Sequence, residues 1–270
     1  MLNETAVNTV VIATQHNTHA KYVVESLNAN KNVWVEKPLA IDRESLSLIE
    51  AAYYNAHSNG ASSGSQNGPQ LMVGFNRRFA PQVKKMHELL SSIMAPKSII
   101  ITVNAGFIPN EHWTQDPLVG GGRIIGEGCH FIDLMRFLIG KKIISINGRA
   151  MISNSSRAIL TDRSSITLGF EDGSFGTVLY LANGASNFPK ERVEVFTDGK
   201  VLQLDNFRKL KGYGWKDFNK FNLWKQDKGQ QACPAAFIEA INTGIPCIPS
   251  QEIFEVAHAT IEVNDILLAQ

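Results

Sequence analysis

The chain has 270 residues, 44% of them hydrophobic, and its 26 lysines and arginines nearly balance 25 aspartates and glutamates. This composition is typical of a soluble globular chain with one large domain or two modest ones. The near-neutral charge argues against nucleic acid as a partner, and no apolar run is long enough to span a bilayer.

The cysteines are Cys129, Cys233 and Cys247, which are odd in number, far apart and without a Cys-x-x-Cys pair. This spacing favours neither a disulfide framework nor a thiolate zinc site. Met1 is not followed by a charged and then apolar leader. We therefore expect a reducing compartment and infer a cytoplasmic protein.

The chain opens with two buried strands, each followed by polar residues. The runs 9–14 (TVVIAT) and 33–35 (VWV) are separated by about one crossover helix, which predicts parallel neighbours. Open α/β sheets bind ligands at the carboxyl ends of their strands. Glu36, Lys37 and the turn 15–19 are therefore expected to converge on one crevice.

The next elements complete this first half. Asp42 predicts the N-cap of a helix that ends near His57. The run 59–69, rich in Gly, Ser and Asn, predicts a flexible surface loop. Residues 71–74 then form another short buried strand.

After a helix that begins at Pro81, the pattern changes to strands joined by tight turns, which predicts an antiparallel sheet packed on one face. The lysine-rich segment 208–211, with Lys216 and Lys220 nearby, is interpreted as a solvated loop face. Ser250 is the expected N-cap of the last helix. The predicted strands are 98–103, 143–151, 165–170, 175–181, 192–196 and 200–204, and the closing helices start near residues 233 and 250.

Three motifs occur along the chain: the triplet Glu36-Lys37-Pro38, the segment 74–79 (GFNRRF), and the glycines 120–122 that lead to His130 and Asp133. Through these motifs the chain resembles the Gfo/Idh/MocA oxidoreductases over nearly its whole length. The resemblance implies an α/β plus α+β fold. A partial Rossmann domain, a doubly wound parallel sheet, would occupy residues 1–80. A large antiparallel-sheet domain would occupy residues 81–270, with its final helices returning to the first domain and its sheet forming a homo-oligomer.

The same resemblance implies an enzyme that uses NAD or NADP to transfer hydride between nicotinamide and a sugar, inositol or related polyol. No Gly-x-Gly-x-x-Gly turn precedes Thr9, so we expect the chain to be a fragment or a fused module of this family. The residue that reads the cofactor ribose is then absent, and NAD or NADP stays open. One alternative is a non-catalytic sugar-binding or assembly module, and another is redox-assisted glycoside cleavage.

Three residues are the catalytic candidates. Lys37 follows a buried strand and precedes Pro38, so its ammonium suits the stabilisation of a developing alkoxide; the resemblance implies a cis Lys37–Pro38 bond. His130 is the candidate proton acceptor. Many members of the family have an aspartate four residues before this histidine, where the chain has Gly126, and we propose Glu127 as its substitute.

The cofactor-binding candidates lie around the two strand ends: Thr14, Gln15, Asn17, His19, Glu36, Lys37 and Pro38. Asn17 and Thr18 could equally be plain helix caps. His16 and His19 are interpreted as cofactor-edge or structural residues, because no further zinc ligands lie near them in the sequence.

The substrate-binding candidates are Lys37, Arg77, Arg78, Trp113 and His130. One of the arginines could instead anchor the domains, and Trp113 could serve in packing alone. For Glu127, His130 and Asp133 a metal site is a weaker alternative, because side chains six apart diverge around a helix; our prediction is no metal. The structural alternative is that His130 caps a core helix and that Asp133 pairs with Arg136.

Overall fold

The computed structural model describes residues 2–62, 68–154 and 158–270. The chain forms two compact units. The first comprises Met1–Phe75, Trp113–Cys129 and Gln231–Ile261, and the second comprises Asn76–His112, His130–Gln230 and Glu262–Gln270. Among the described helices, none combines the length and apolarity needed to cross a membrane. The domain boundary expected after residue 80 stays a prediction.

The described residues form strands and helices in the following order along the chain: β1 (Thr9–Ile12), α1 (His19–Asn28), β2 (Asn32–Val35), α2 (Arg43–Ser62), β3 (Leu71–Val73), α3 (Pro81–Ser91), β4 (Ser98–Asn104), α4 (Cys129–Ile139), β5 (Ile143–Ile152), β6 (Ile159–Phe170), β7 (Phe175–Leu181), β8 (Glu191–Thr197), β9 (Lys200–Asp205), β10 (Lys209–Tyr213), β11 (Lys220–Asn222), α5 (Ala232–Thr243) and α6 (Ser250–Leu268).

The first unit contains a parallel sheet with the strand order β1-β2-β3. Val33, Val35 and Val73 are fully buried in it, as apolar strands covered by crossover helices should be. Asp42 caps α2 as predicted, since its Oδ1 accepts the backbone N–H of Ser45 at 2.7 Å. The expected partial Rossmann sheet is therefore confirmed.

Helix α2 is longer than predicted. It continues to Ser62, although the sequence placed the start of a loop at residue 59. One Asn-Gly pair did not stop a helix that had already formed several turns, because an interior glycine costs only about 1 kcal/mol relative to alanine. The rest of the predicted loop includes residues 63–67, which lie outside the described residues.

The second unit contains a sheet with the strand order β11-β10-β9-β8-β4-β7-β6-β5. All of its pairs are antiparallel except β4 with β7, which run parallel from Ser98↔Phe175 to Asn104↔Leu181. The sheet is therefore mixed, where we expected an antiparallel one. A parallel pair needs a crossover connection, and the long segment that carries α4, β5 and β6 supplies it.

One face of this sheet is buried, as its alternating pattern predicted. On β4, Ile99, Ile101 and Val103 are fully buried, whereas Ile100 is exposed. A Cβ on Gly176 of β7 would lie 3.1 Å from Cγ of Met135 on α4, so this helix packs directly against the strands. The core of the second unit lies between α4 and this face.

The lysine-rich segment predicted to be a solvated loop instead contains the strands β10 and β11. Lys209 and Lys211 are exposed, but Leu210 between them is fully buried, and β10 pairs with both β9 and β11. The segment is an amphipathic strand whose charged face is in solvent. The alternation of exposed and buried residues in this segment is too short to predict a strand, because the high density of positive charge favours a solvated loop.

We expect Leu210→Ala to lower the free energy of unfolding by about 2–5 kcal/mol, because it leaves a cavity under β10. Lys211→Ala is the matched control on the same strand, and its side chain is exposed, so the expected change is within about 0.5 kcal/mol. Chemical denaturation of both variants measures this. Equal small effects would mean that the segment is a loop.

Candidate functional site

The loops that follow β1 and β2 are joined by one fully buried imidazole. His19 Nδ1 lies 2.7 Å from the carbonyl oxygen of Pro38, and Nε2 lies 3.1 Å from that of Thr14. The contacts bring the segment after β1 next to the segment after β2, on the carboxyl side of the parallel strands. His19 is thus a structural residue of the predicted crevice.

Lys37 lies in that crevice, and its Nζ donates a hydrogen bond of 2.7 Å to the carbonyl oxygen of Gly126. The side chain is half-buried, and the Lys37–Pro38 peptide bond is cis, as expected. The partner of the ammonium is a neutral main-chain dipole, and not a carboxylate. The charge of Lys37 is therefore oriented without being neutralised.

Gly120 permits a close backbone approach between the glycine segment and the chain next to Trp113. A Cβ on Gly120 would lie 2.6 Å from main-chain atoms of Thr114, and Gly121 has φ of 74°. The freed carbonyl of Gly120 accepts a hydrogen bond from His16 Nδ1 at 2.7 Å. The approach therefore brings the glycine segment against the turn that follows β1.

His16 is enclosed by this arrangement. The ring of Trp113 packs edge-on against it with centroids 4.8 Å apart, and His19 lies 5.6 Å away. Burial is the main cause that lowers the pKa of His16, to about 4; the Gly120 carbonyl opposes the shift, and the charges of Lys37 and His19 contribute to it. His16 is therefore a neutral imidazole at physiological pH.

The other predicted cofactor residues lie at the same strand ends. Thr14, Gln15 and Asn17 are exposed, and the hydroxyls of Thr14 and Thr18 are 2.6 Å apart. The carboxylate of Glu36 lies beside Gly74, where a Cβ would approach its oxygens to 3.2 Å. The first unit thus brings together Lys37, Trp113 and all of the predicted cofactor residues.

Glu127 lies in a π-helical turn, Ile124–Gly128, that precedes α4. Its carboxylate forms a 2.7 Å ion pair with Arg123, which is itself buried. The prediction that Glu127 assists His130 assumed ordinary α-helical spacing between the two residues. A π turn has more residues per turn, so residues three apart no longer lie on the same face of the helix. Assistance by Glu127 to His130 stays a prediction.

In the second unit, His130 is buried on α4 at 6% exposure. Asp133, one turn further on, pairs through both carboxylate oxygens with Arg78. Among the described residues, no three His, Cys, Asp or Glu side chains are placed to hold a metal ion.

Arg77 is also buried in an ion pair. Its guanidinium donates two 2.9 Å hydrogen bonds to Glu191, which also accepts one from Lys228 at 2.6 Å. Burial alone would raise the pKa of Glu191, but Arg77 and Lys228 outweigh it and hold the pKa below its usual range. The geometry favours a structural role within the second unit for both Arg77 and Arg78.

Glu191 was not among the predicted residues, although the sequence contains a signal for it. Glu191 alternates with Val193 and Val195 on β8, and all three belong to the buried face. A carboxylate in a buried register requires a cationic partner. That requirement could have pointed to Arg77 as an ion-pair residue.

Comparison with known proteins gives two family-model matches. Residues 1–61 match the oxidoreductase family with an NAD-binding Rossmann fold, and residues 93–202 match the GFO/IDH/MocA C-terminal domain. The chain is 28% identical over 213 residues to the uncharacterized oxidoreductase YrbE of Bacillus subtilis, a match that covers 77% of the chain and 58% of that protein.

The chain is also 25% identical over 214 residues to myo-inositol 2-dehydrogenase of Thermotoga maritima, which covers 77% of the chain and 59% of that protein. It thus spans less than two thirds of either curated relative. Among solved structures, levoglucosan dehydrogenase in complex with NADH and levoglucosan superposes with a TM-score of 0.82 at 19% identity, covering 99% of this chain and 80% of that one. This similarity shows a shared fold.

The buried cluster of Glu191, Arg77 and Lys228 predicts a pH-dependent loss of stability. Glu191→Gln removes the charge and leaves two buried cations unpaired, so we expect it to cost about 3–5 kcal/mol at neutral pH. Because the folded-state pKa is lowered, the stabilisation is present above the ordinary value of 4.5 and is lost as the pH falls through the folded pKa. The difference from wild type should therefore shrink on acidification.

Denaturation of both proteins at several pH values measures this difference. Asp205→Asn is the matched control, because it breaks a more exposed ion pair, the one between Asp205 and Arg192. Arg192 is the neighbour of Glu191 on β8. Its expected cost is below about 1 kcal/mol. A Glu191→Gln cost that is constant down to acid pH would contradict the assignment.

Proposed function

Because the chain belongs to the Gfo/Idh/MocA oxidoreductase family, we propose that the protein is an NAD(P)-dependent dehydrogenase whose substrate is a sugar, an inositol or a related polyol. The observation that carries the proposal is the ammonium of Lys37. It lies at the carboxyl end of β2 and is held by the Gly126 carbonyl, so it is available to an oxygen of a ligand. Inositol 2-dehydrogenases among the relatives support this substrate class.

The polar groups at the strand ends fit the nicotinamide part of the cofactor. Thr14 and Gln15 offer an exposed hydroxyl and an amide, and Glu36 offers a carboxylate beside a glycine that leaves it room. These are donors and acceptors of the kind that a carboxamide and ribose hydroxyls require. When bound, nicotinamide would supply the acceptor of the hydride.

In the proposed reaction, Lys37 donates a hydrogen bond to the substrate oxygen and stabilises the negative charge that develops on it. Such a preorganised donor costs no reorganisation during the reaction, because the Gly126 carbonyl already holds it. His130 accepts the hydroxyl proton, and Glu127 assists it. Trp113 contributes an apolar wall beside His16.

We expect Lys37→Ala to lower kcat about 10²- to 10³-fold, because it removes one preorganised donor, while NADH affinity stays near that of wild type. His130→Ala should lower kcat about 10²- to 10⁴-fold. The measurement is NADH formation with myo-inositol and NAD⁺ in the full-length protein, together with NADH binding by fluorescence.

Lys21→Ala on the exposed face of α1 is the control for the lysine variant and should keep wild-type turnover. Near-normal turnover in both Lys37→Ala and His130→Ala would rule out the mechanism. Saturable inositol binding without NADH binding would favour the non-catalytic module instead.

We further propose that the protein is a cytoplasmic homo-oligomer that associates through the outer face of the large sheet. Phe175 and Phe196 flank Ser98 in one row across β7, β4 and β8, and both aromatic rings are exposed. Ile100 adds a further exposed apolar side chain to the same face. A cluster of exposed large apolar side chains supports an interaction surface at this position.

Phe196→Glu should weaken self-association about tenfold or more, because it places a charge in an apolar interface. Light scattering coupled to size-exclusion chromatography measures the change. Phe188→Glu is the control, since Phe188 is exposed in the second unit but is not part of a strand. A monomeric wild type would refute this assembly.

A further inference from the structure

Gly126 has no side chain, and the imidazole of His16 occupies the space in front of it. A Cβ on Gly126 would lie 2.9 Å from Cε1 and 3.5 Å from Nδ1 of His16. The carbonyl of the same glycine holds the ammonium of Lys37. Gly126 therefore positions both side chains, one through its carbonyl and the other through its missing Cβ.

The orientation of the His16 ring follows from its hydrogen bond. Nδ1 lies 2.7 Å from the carbonyl oxygen of Gly120, and a carbonyl can only accept, so Nδ1 carries the hydrogen. In a neutral imidazole the other nitrogen, Nε2, then has a free lone pair and is an acceptor. Burial keeps the ring neutral, since it lowers the pKa to about 4. His16 thus has a neutral acceptor, and its ring lies against Gly126, the residue whose carbonyl holds the ammonium of Lys37.

We propose that Nε2 of His16 accepts the hydrogen bond of a second substrate hydroxyl, next to the one that accepts from Lys37 and gives its proton to His130. This inference rests on the proposed function and extends it to a residue that the mechanism above does not use. Two neighbouring hydroxyls of a polyol satisfy both groups, because one is the acceptor for Lys37 and the other is the donor for Nε2. A substrate without the second hydroxyl satisfies Lys37 only and leaves Nε2 unmatched. His16 is therefore a specificity-determining residue for polyols.

Two substitutions separate the nitrogens of His16. His16→Asn keeps an amide N–H near the position of Nδ1 for Gly120 but removes Nε2. His16→Gln extends an amide oxygen towards the position of Nε2. We expect myo-inositol, in the presence of NADH, to bind about tenfold more weakly to His16→Asn, the effect of losing one neutral hydrogen bond. Binding to His16→Gln should be restored to within a few-fold of wild type.

A double-mutant cycle tests the contact with Gly126. Gly126→Ala brings a methyl group against Cε1 of His16, so it should weaken inositol binding about as much as His16→Asn does. In the His16→Asn background Cε1 is absent, and Gly126→Ala should have no further effect. His258→Asn, at a partly exposed histidine paired with Glu50 in the first unit, is the control and should bind inositol as wild type does.

NMR of the protein labelled with ¹⁵N-histidine gives a readout that does not depend on turnover. Nε2 of His16 should be the nitrogen without hydrogen, and its resonance should shift when myo-inositol is added to the NADH complex. If NADH and inositol bind but neither this resonance nor the affinity of His16→Asn changes, the inference is overturned and the dehydrogenase proposal stands. If neither ligand binds to the wild-type protein, both are overturned.

Discussion

The arrangement of the candidate site depends on the buried imidazole of His19. Its two nitrogens lie 3.1 Å and 2.7 Å from the carbonyl oxygens of Thr14 and Pro38, which belong to loops that follow different strands. Loops at the carboxyl end of a parallel sheet have no strand pairing of their own to fix them. A fully buried side chain that contacts both loops fixes them against each other, since water does not compete at this position. Both His16 and Lys37 are placed by these loops.

Lys37 is held in a different way from the buried cations that pair with carboxylates. Arg77, Arg78 and Lys228 are held by carboxylates, which neutralise them inside the second unit. Lys37 is instead held by a carbonyl dipole, which fixes its direction and leaves its charge unbalanced. A charge that is oriented but not neutralised is what a site for a developing anion needs.

Much of the fold was readable from local patterns. The parallel strands, the Asp42 cap and most strands of the second sheet followed from runs of Val and Ile and from turn residues. Strand β10 was missed because Leu210 alone marks its buried face amid lysines. The parallel β4–β7 pair was missed because tight turns report only which strands are sequential neighbours, whereas this pair is separated by α4, β5 and β6.

The candidate site was readable only in part, because its partners come from distant parts of the sequence. Lys37 was expected from a short motif, and the family resemblance implied the cis bond before Pro38. The Gly126 carbonyl, 89 residues away, left no trace in the residue types, since every residue has a carbonyl. The burial of His16 likewise depends on Gly120 and Trp113, which no local spacing connects to it.

The position of β4 in the large sheet has a consequence for synthesis of the chain. Both of its neighbours, β7 and β8, come more than seventy residues later, so a nascent chain carries β4 with two unpaired edges until those strands leave the ribosome. The face that is buried in the folded sheet, with Ile99, Ile101 and Val103, lacks its neighbouring strands for all of that time. Such a strand is a template for pairing with other chains. Productive folding in the cell then depends on protection of this one segment, by chaperones or by early packing of α4.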